Sequence, residues 1–303
     1  MSNLIQYIPK LQQGFEECRN HEMSSIWMEE NAREDMISWI SPRKFIIQSL
    51  NVDGLGDYPA GCEAFPTGGF SVENKTYELG FRRSKRFCWK RNDEIDTDGV
   101  ATASNLLRVF RSRHVNPEVE AFRYSKLANY GIASARATTG KTYTDPQIAL
   151  KDLRANILKI TQTGLWRASD LVIIMDLSLK QSIFNLAGNA LSNVDADGNL
   201  VNLVNSVDGI PVYEVYSDAM KTGYSYNNGF DGEFGFAAAP DAKQVNWIII
   251  AKSAPVAIVR YDEWKAFDPD SDDLADNWRM TYTMYHDLFV YDSDLDSLWV
   301  NTQ

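Results

Sequence analysis

Histidine is scarce in this chain, with three in 303 residues, at His21, His114 and His286. That is a thin supply for metal binding or general acid–base work. His21-Glu22 opens like HExxH, but the second histidine position is Ser25, so no two-histidine helix face forms. Cysteine is equally sparse: Cys18, Cys62 and Cys88 are odd in number, form no CxxC pair, and offer no disulfide framework, a pattern that suits a reducing compartment. No apolar run approaches the roughly 18 residues that cross a bilayer. The N-terminus lacks a basic region followed by an apolar stretch, so no secretory signal and no membrane partner is expected. Positive charge is also in deficit. Thirty Lys plus Arg stand against 41 Asp plus Glu, a net charge of −11, which argues against a dedicated nucleic-acid-binding protein.

Motifs that carry catalysis fail one after another. Gly69-Phe-Ser71-Val-Glu73 misses the last glycine of a nucleophile elbow. Gly140-Lys141-Thr142 ends like a phosphate loop, but its first glycine position is Ala135 and no helix begins until after Asp145-Pro146. Gly54-Leu-Gly56-Asp-Tyr-Pro59 carries proline where GxGxxG needs its third glycine. Asp292-Ser-Asp294-Leu-Asp296-Ser297 and Asp268-Pro-Asp270-Ser-Asp272-Asp273 imitate calcium loops, yet both lack the glycine at position six and the glutamate at twelve, and read as solvated acidic turns. Asp195-Ala-Asp197-Gly198-Asn199 reads as a hairpin turn. Glu118 and Glu120 sit two apart, on different faces of a helix, and make no acid–base dyad. The expectation is no catalytic residue, no cofactor and no metal.

What the chain has is the material of a core, 44% hydrophobic against 23% charged residues, and a mixed α+β pattern. Leu4, Ile5, Ile8, Leu11 and Phe15 form a helix-like stripe interrupted by Pro9, read as part of an arm with short helical pieces. Lys44–Val52 is a strand candidate, followed by a loop with seven Gly and Pro residues. A period-two run then extends from about Ser71 to Trp89, with Tyr77, Leu79, Phe81, Phe87 and Trp89 on one parity. Nineteen residues at about 3.3 Å each reach about 60 Å. A domain of this length has a radius of gyration of only about 19 Å, so the ribbon should project. An isolated hairpin is marginal in water, and no obvious internal partner covers Tyr77, Leu79 and Phe81.

A long helix is expected from near Gly99, with Leu106, Leu107 and Phe110 on one side and Arg108, Arg111 and Arg113 on the other. Asn116-Pro117 breaks or kinks it before it resumes through Val119, Phe122, Leu127 and Tyr130. Asp145-Pro146 starts the next helix, and Ser178 caps a short one to Gly188. Strands are expected at Leu171–Met175, Leu200–Val204, Ile210–Tyr216, Val245–Ala251, Pro255–Arg260 and Trp278–Tyr291, and Gly229, Gly232 and Gly235 mark a mobile loop. Charge is segregated. Phe81–Arg91 holds six basic residues, Arg82, Arg83, Lys85, Arg86, Lys90 and Arg91, whereas Asp262–Asp296 holds eleven acidic and two basic ones. These are two solvated faces, or surfaces that meet between subunits, or, for the basic strand, a grip on nucleic acid.

The order of the segments from Ser71 to Ala128 carries a resemblance. The strand Tyr77-Glu-Leu-Gly-Phe-Arg-Arg-Ser-Lys-Arg-Phe87 is followed by acidic Asn92-Asp-Glu-Ile-Asp96 and a long helix ending Val115-Asn-Pro-Glu-Val-Glu-Ala-Phe-Arg-Tyr-Ser-Lys-Leu-Ala128. Further matches are Gly54–Pro59 before it and Ile210–Val215, Ser217–Thr222, Ala242–Ile250 and Tyr285–Tyr291 after it. From about residue 45 to 299 the chain resembles major capsid proteins of tailed bacteriophages with the Hong Kong 97-type fold.

The resemblance implies four parts: an N-terminal arm, 1–42; an extended loop built as a β-hairpin, 43–91; a peripheral domain with the long spine helix, 92–145 and 261–291; and an axial domain with the central sheet, 146–260 and 292–303. It implies a non-enzymatic shell protein in the virion capsid, assembled in the bacterial host cytoplasm. Its partners would be other copies in pentamers and hexamers, a portal, scaffolding or decoration proteins, and packaged double-stranded DNA bound without sequence specificity. Inter-subunit contacts would come from Tyr77, Leu79, Phe81, Arg82, Arg83, Lys85 and Arg86 against acidic residues such as Asp268, Asp270 and Asp272. Some relatives crosslink through a Lys–Asn isopeptide bond, and Lys75, beside Asn74, is a candidate lysine by location only. Two alternatives are an encapsulin-like nanocompartment shell and an α/β enzyme or carbohydrate binder using the 8 Trp and 14 Tyr.

Overall fold

A computed structural model describes residues 23–32, 37–56, 67–90, 103–188, 193–194, 200–201, 206–230, 232–267 and 277–303. The stripe at Leu4–Phe15, the turn at 195–199, and Asp268, Asp270 and Asp272 lie outside them.

Two unbroken apolar runs lie at the centre of the largest sheet. Leu171–Asp176 (β6) and Val245–Ala251 (β13) are buried at every position, as strands covered on both faces must be. They pair antiparallel, Ile249 opposite Ile173. Ala137–Thr138 (β5), Trp299–Thr302 (β16), Ser206–Val207 (β9) and Ile210–Val215 (β10) complete a mixed six-stranded sheet in the order β5-β16-β13-β6-β10-β9. Two helices pack with it. In Pro146–Thr161, Asp145 is the expected cap and accepts from the Gln147 amide at 2.8 Å. Leu177–Gly188 is capped by Asp176, which accepts from the Ser178 and Leu179 amides, and not by Ser178 as the sequence suggested. Asp176 ends β6 and so can point back at both amides. Asn193–Val194 (β7) and Leu200–Val201 (β8) pair antiparallel on either side of the 195–199 segment.

The long helix is continuous. Ala103–Phe110 (α1) runs into a five-residue π segment, Arg111–Val115, and then Asn116–Ala133 (α2), with helical dihedrals at both junctions. Pro117 has no amide hydrogen, and its ring clashes with the carbonyl one turn earlier. The wider π turn just before it relieves that clash, so the helix continues without a break. Arg111, four residues after the buried Leu107 and so on the same helix face, is fully buried, whereas Arg108 and Arg113 stay exposed.

The ribbon expected from Ser71 to Trp89 is two strands in two sheets. Phe70–Glu78 (β3) pairs with Lys44–Val52 (β2), and β2 with Ile37–Trp39 (β1). Phe81–Lys90 (β4) is the edge strand of a second sheet in the order β14-β15-β4, with Pro255–Phe267 (β14) and Asn277–Val290 (β15). The chain changes sheet at Leu79-Gly80, where the Leu79 amide donates to the Arg43 carbonyl (2.8 Å) and the Gly80 amide to Asp287 (2.8 Å).

Leu79 and Phe81 therefore find cover within their own chain, contrary to expectation. Leu79, with 0% of its surface exposed, packs with Phe45, Ile47, Val256, Ile258 and Phe289. Phe81 packs against Phe122 and His286. Tyr77 stacks on Phe45 and meets Phe289 edge-on. The β2–β3 hairpin is about 30 Å long, nine residues per strand, and its outer half extends beyond this base.

One close approach ties α2 to the central sheet. A Cβ on Gly131 would lie 2.3 Å from Cγ2 of Val300. Gly131→Ala should destabilise the protein by about 1–3 kcal/mol by overpacking. Urea denaturation followed by circular dichroism measures this, with the midpoint lowered and the slope unchanged.

Candidate assembly surface

β4 presents two different faces because strand side chains alternate. Residues of odd number turn toward the long helix, where Phe87 meets Phe110 edge-on and Trp89 stacks on Trp278. Arg83 belongs to this inner set. Its Nε donates to Glu118 at 2.5 Å, and its Nη atoms donate to the Asn227 carbonyl (2.6 Å) and the Gly235 carbonyl (3.2 Å). Within the chain, Arg83 thus holds both ends of the 227–235 loop to the helix. Lys85, half-buried, sits 2.9 Å from the ring centroid of Phe234, and burial lowers its pKa. Residues of even number face outward, so Arg82, Ser84, Arg86, Cys88 and Lys90 are exposed.

Across the outer face, Arg82 lies opposite Tyr285 and Arg86 opposite Thr281. Tyr261, Glu263 and Lys265 of β14 continue these rows. Pro42, Tyr261, Glu263, Lys265, Thr281, Thr283 and Tyr285 line a shallow trough of about 420 Å³ there. Basic, acidic, hydroxyl and aromatic groups are combined on this face.

The inner face depends on buried charge along the long helix. Arg111 binds Asp262 through both carboxylate oxygens, at 3.0 and 2.9 Å, and Tyr282 donates to the same carboxylate. Arg123, fully buried, reaches Glu29 (2.6 Å) and the Ser25 carbonyl (3.2 Å). Burial lowers its pKa to about 10, still far above neutrality. Glu120 accepts from the Ser24 amide (2.5 Å), the Ser24 hydroxyl (2.6 Å) and the Ser25 amide (3.3 Å). Lys126 pairs with Asp287. Burial raises the pKa of both Glu118 and Glu120 despite these donors.

The other residues singled out in the sequence take structural places. Lys75 donates to Asp292 of its own chain at 2.6 Å, and Asp296 pairs with Arg136, so the acidic stretch Asp292–Ser297, a 3₁₀ helix, anchors neighbouring segments. No group of three or more His, Cys, Asp or Glu capable of holding a metal occurs among the described residues. The buried pairs Arg111–Asp262 and Arg123–Glu29 were missed in the sequence, because arginines spaced along a helix read as a solvated stripe.

The raised carboxyl of Glu120 gives a pH dependence of known sign. The folded state holds its proton to higher pH than the unfolded chain, so its contribution to stability is greatest in acid and falls as pH rises from the ordinary glutamate range through the raised value. Glu120→Gln, whose amide oxygen can still accept from Ser24, should remove that slope. Unfolding free energies of both proteins between about pH 4 and pH 7 should converge toward the acid end and separate toward the neutral end, with the variant favoured.

No family model and no curated protein matches the sequence. Solved structures do. The chain is similar to one in the asymmetric unit of the mature capsid of bacteriophage PhiM1, with a TM-score of 0.55 and 11% identity over 86% of this chain and 82% of that one. It is similar to the capsid structure of cyanophage P-SCSP1u, with a TM-score of 0.53 and 13% identity over 88% and 84%. It also matches a virus-like particle from Pyrococcus furiosus, with a TM-score of 0.54 and 11% identity over 97% and 99%. The chain therefore has the α+β fold of tailed-phage major capsid proteins, the Hong Kong 97-type fold that its sequence resembles.

Proposed function

We propose that this chain is a structural major capsid protein that self-assembles, as pentamers and hexamers, into the icosahedral head enclosing the double-stranded DNA of a tailed phage. The observation that carries this reading is the extent of the fold match, which takes in 80% or more of both chains in phage capsid structures, so the likeness spans most of each subunit and not one motif. The role is structural and not enzymatic. The protein works in the virion capsid, after assembly in the bacterial host cytoplasm, beside a portal and scaffolding or decoration proteins. On this reading the chain divides into an N-terminal arm at 1–42, an extended loop at 43–91, a peripheral domain at 92–145 with 261–291, and an axial domain at 146–260 with 292–303.

Two parts of the molecule support assembly on physical grounds. The outer end of the β2–β3 hairpin exposes Val52, Leu55, Phe70 and Val72, with Phe70 76% exposed. An apolar projection of this kind is poorly placed in water and well placed against another copy. The outward Arg82 and Arg86 would set the register of subunit contacts more than their strength. Acidic Asp268, Asp270 and Asp272 are kept as candidate counterparts.

A second reading, an encapsulin-like nanocompartment shell, is favoured by the near-complete overlap with the Pyrococcus furiosus particle. Nuclease-resistant DNA inside purified particles separates a phage head from a cargo cage. Electron microscopy of the purified chain should show closed particles, and a monodisperse 34.3 kDa species would overturn both readings. Arg82→Glu with Arg86→Glu should reduce the yield of closed particles while leaving the monomer folded by circular dichroism. Unchanged yield would remove the electrostatic part.

A further inference from the structure

A cleft of about 300 Å³ opens beside β4, between this edge strand, the long helix and the 227–235 loop. Its walls are aromatic, with Phe81 and Phe87 from β4, Phe110 from the helix and Phe234 from the loop. The loop that roofs it is built in place. Arg83 donates to carbonyls at both of its ends, and the Asn227 amide donates to the Gly235 carbonyl at 3.0 Å. Gly229 has φ +80°, and a Cβ there would lie 2.9 Å from the Phe234 ring, so glycine at this turn lets the ring lie where it does.

The charges that reach this cleft do not balance. Arg83 and Glu118 face each other, with Nε at 2.5 Å from one carboxylate oxygen and Nη2 at 3.3 Å from the other, and they neutralise one another. Lys85 is left over. No carboxylate of the described residues pairs with it, and its ammonium lies 2.9 Å from the ring centroid of Phe234 and 6.0 Å from that of Phe87. Burial lowers its pKa, as it does for a cation drawn partly out of water without an anion in exchange. His114, exposed at the rim, adds no negative charge. The cleft thus offers ring faces on several sides, one unanswered positive charge, and no carboxylate that is not already bound.

We propose that this cleft binds a small aromatic carboxylate, with its ring among Phe81, Phe87 and Phe110 and its carboxylate on the Lys85 ammonium beneath Phe234. The site belongs to the single chain and does not depend on how copies associate. Small-molecule sites span about 300–1,000 Å³, and this cleft lies at the lower end, which suits one or two fused rings and is too small for a nucleotide or a lipid. A flat ring can meet the phenylalanines offset or edge-on, the geometries that aromatic pairs prefer. A carboxylate supplies what Lys85 lacks, and a charge-assisted hydrogen bond is roughly twice as strong as a neutral one. A neutral aromatic would fill the same space and leave the ammonium unanswered. Because the walls come from β4, the long helix and the 227–235 loop, the ligand would also tie three separate segments together and stabilise the folded chain.

Isothermal titration calorimetry of the purified full chain tests this with 2-naphthoate, compared with its neutral isostere 2-naphthalenemethanol. The expected result is one saturable site per chain that takes the carboxylate about tenfold more tightly than the alcohol. Lys85→Gln should remove that margin by weakening the carboxylate alone, while the alcohol binds both proteins alike. Lys85→Met serves if circular dichroism shows that the glutamine variant does not fold, and the comparison of acid with alcohol needs no variant. Photolabelling with 4-benzoylbenzoate, itself an aromatic carboxylate, locates the site: adducts should map to 81–87, 110–119 or the Phe234 loop, and excess 2-naphthoate should displace them. Absence of saturable binding, equal affinity for acid and alcohol, carboxylate affinity unchanged in the Lys85 variants, or displaceable adducts elsewhere on the chain would each overturn the proposal.

Discussion

An ionised side chain buried on a helix must be met by charge or by directed hydrogen bonds, and in this protein those partners bring together segments far apart in sequence. Arg111 and Arg123 are wholly buried on the long helix, and Glu118 and Glu120 nearly so. Each recruits a different segment: Asp262 from β14, Glu29 from the N-terminal segment, Arg83 from β4, and the Ser24 and Ser25 amides. Lys126 adds Asp287 from β15. Such pairs contribute little net stability compared with a well-packed apolar alternative, but removing one partner is costly. Their effect here is on specificity, since one register of the strands against the helix satisfies all of them together.

That constraint also explains the sheet switch at Gly80. Asp287 accepts from the Gly80 amide with one oxygen and pairs with Lys126 through the other. The carboxylate joins the turn, the helix and β15 at one point. From that point β3 departs outward with β2, while β4 stays on the body beside β15. The hairpin therefore projects from a base set in a cluster of Phe45, Leu79, Val256 and Phe289 rather than from a flexible tether.

Much of the fold was legible in the sequence where one local signal decides the element. The buried strands at Leu171 and Val245 and the proline-started helix at Pro146 fall where composition and caps place them. The alternating strand Trp278–Tyr291 is observed as Asn277–Val290. The failures share a cause. Period two runs from Tyr77 through Leu79 to Phe81 without a change of parity, so alternation cannot reveal that the strand has moved between sheets. The cover for Leu79 comes from residues more than 170 positions away in part, such as Val256 and Phe289, which no local pattern connects to it. Arg111 looks like a surface residue by its charge, yet it shares a helix face with the buried Leu107 and is met inside by Asp262. Of the surface residues expected at an interface, Arg82 and Arg86 are exposed, whereas Arg83 could be assigned to the interior only once Glu118 and the 227–235 loop were placed beside it.

On the proposed shell reading, the net charge of −11 bears on how copies could associate without coagulating. Copies repel one another on average, and at physiological salt that repulsion is felt only within about 8 Å. Random collisions present like charge and separate. On the proposed reading, a collision that brings the basic strand of one copy to an acidic segment of another would meet local attraction instead, so the same charge imbalance that opposes disordered association would select the productive orientation. The apolar side chains at the hairpin end can then contribute adhesion without also having to provide discrimination, because contact at short range is reached only by pairs already aligned. Segregating the charge along the chain, and not merely accumulating it, is what makes the two tasks compatible.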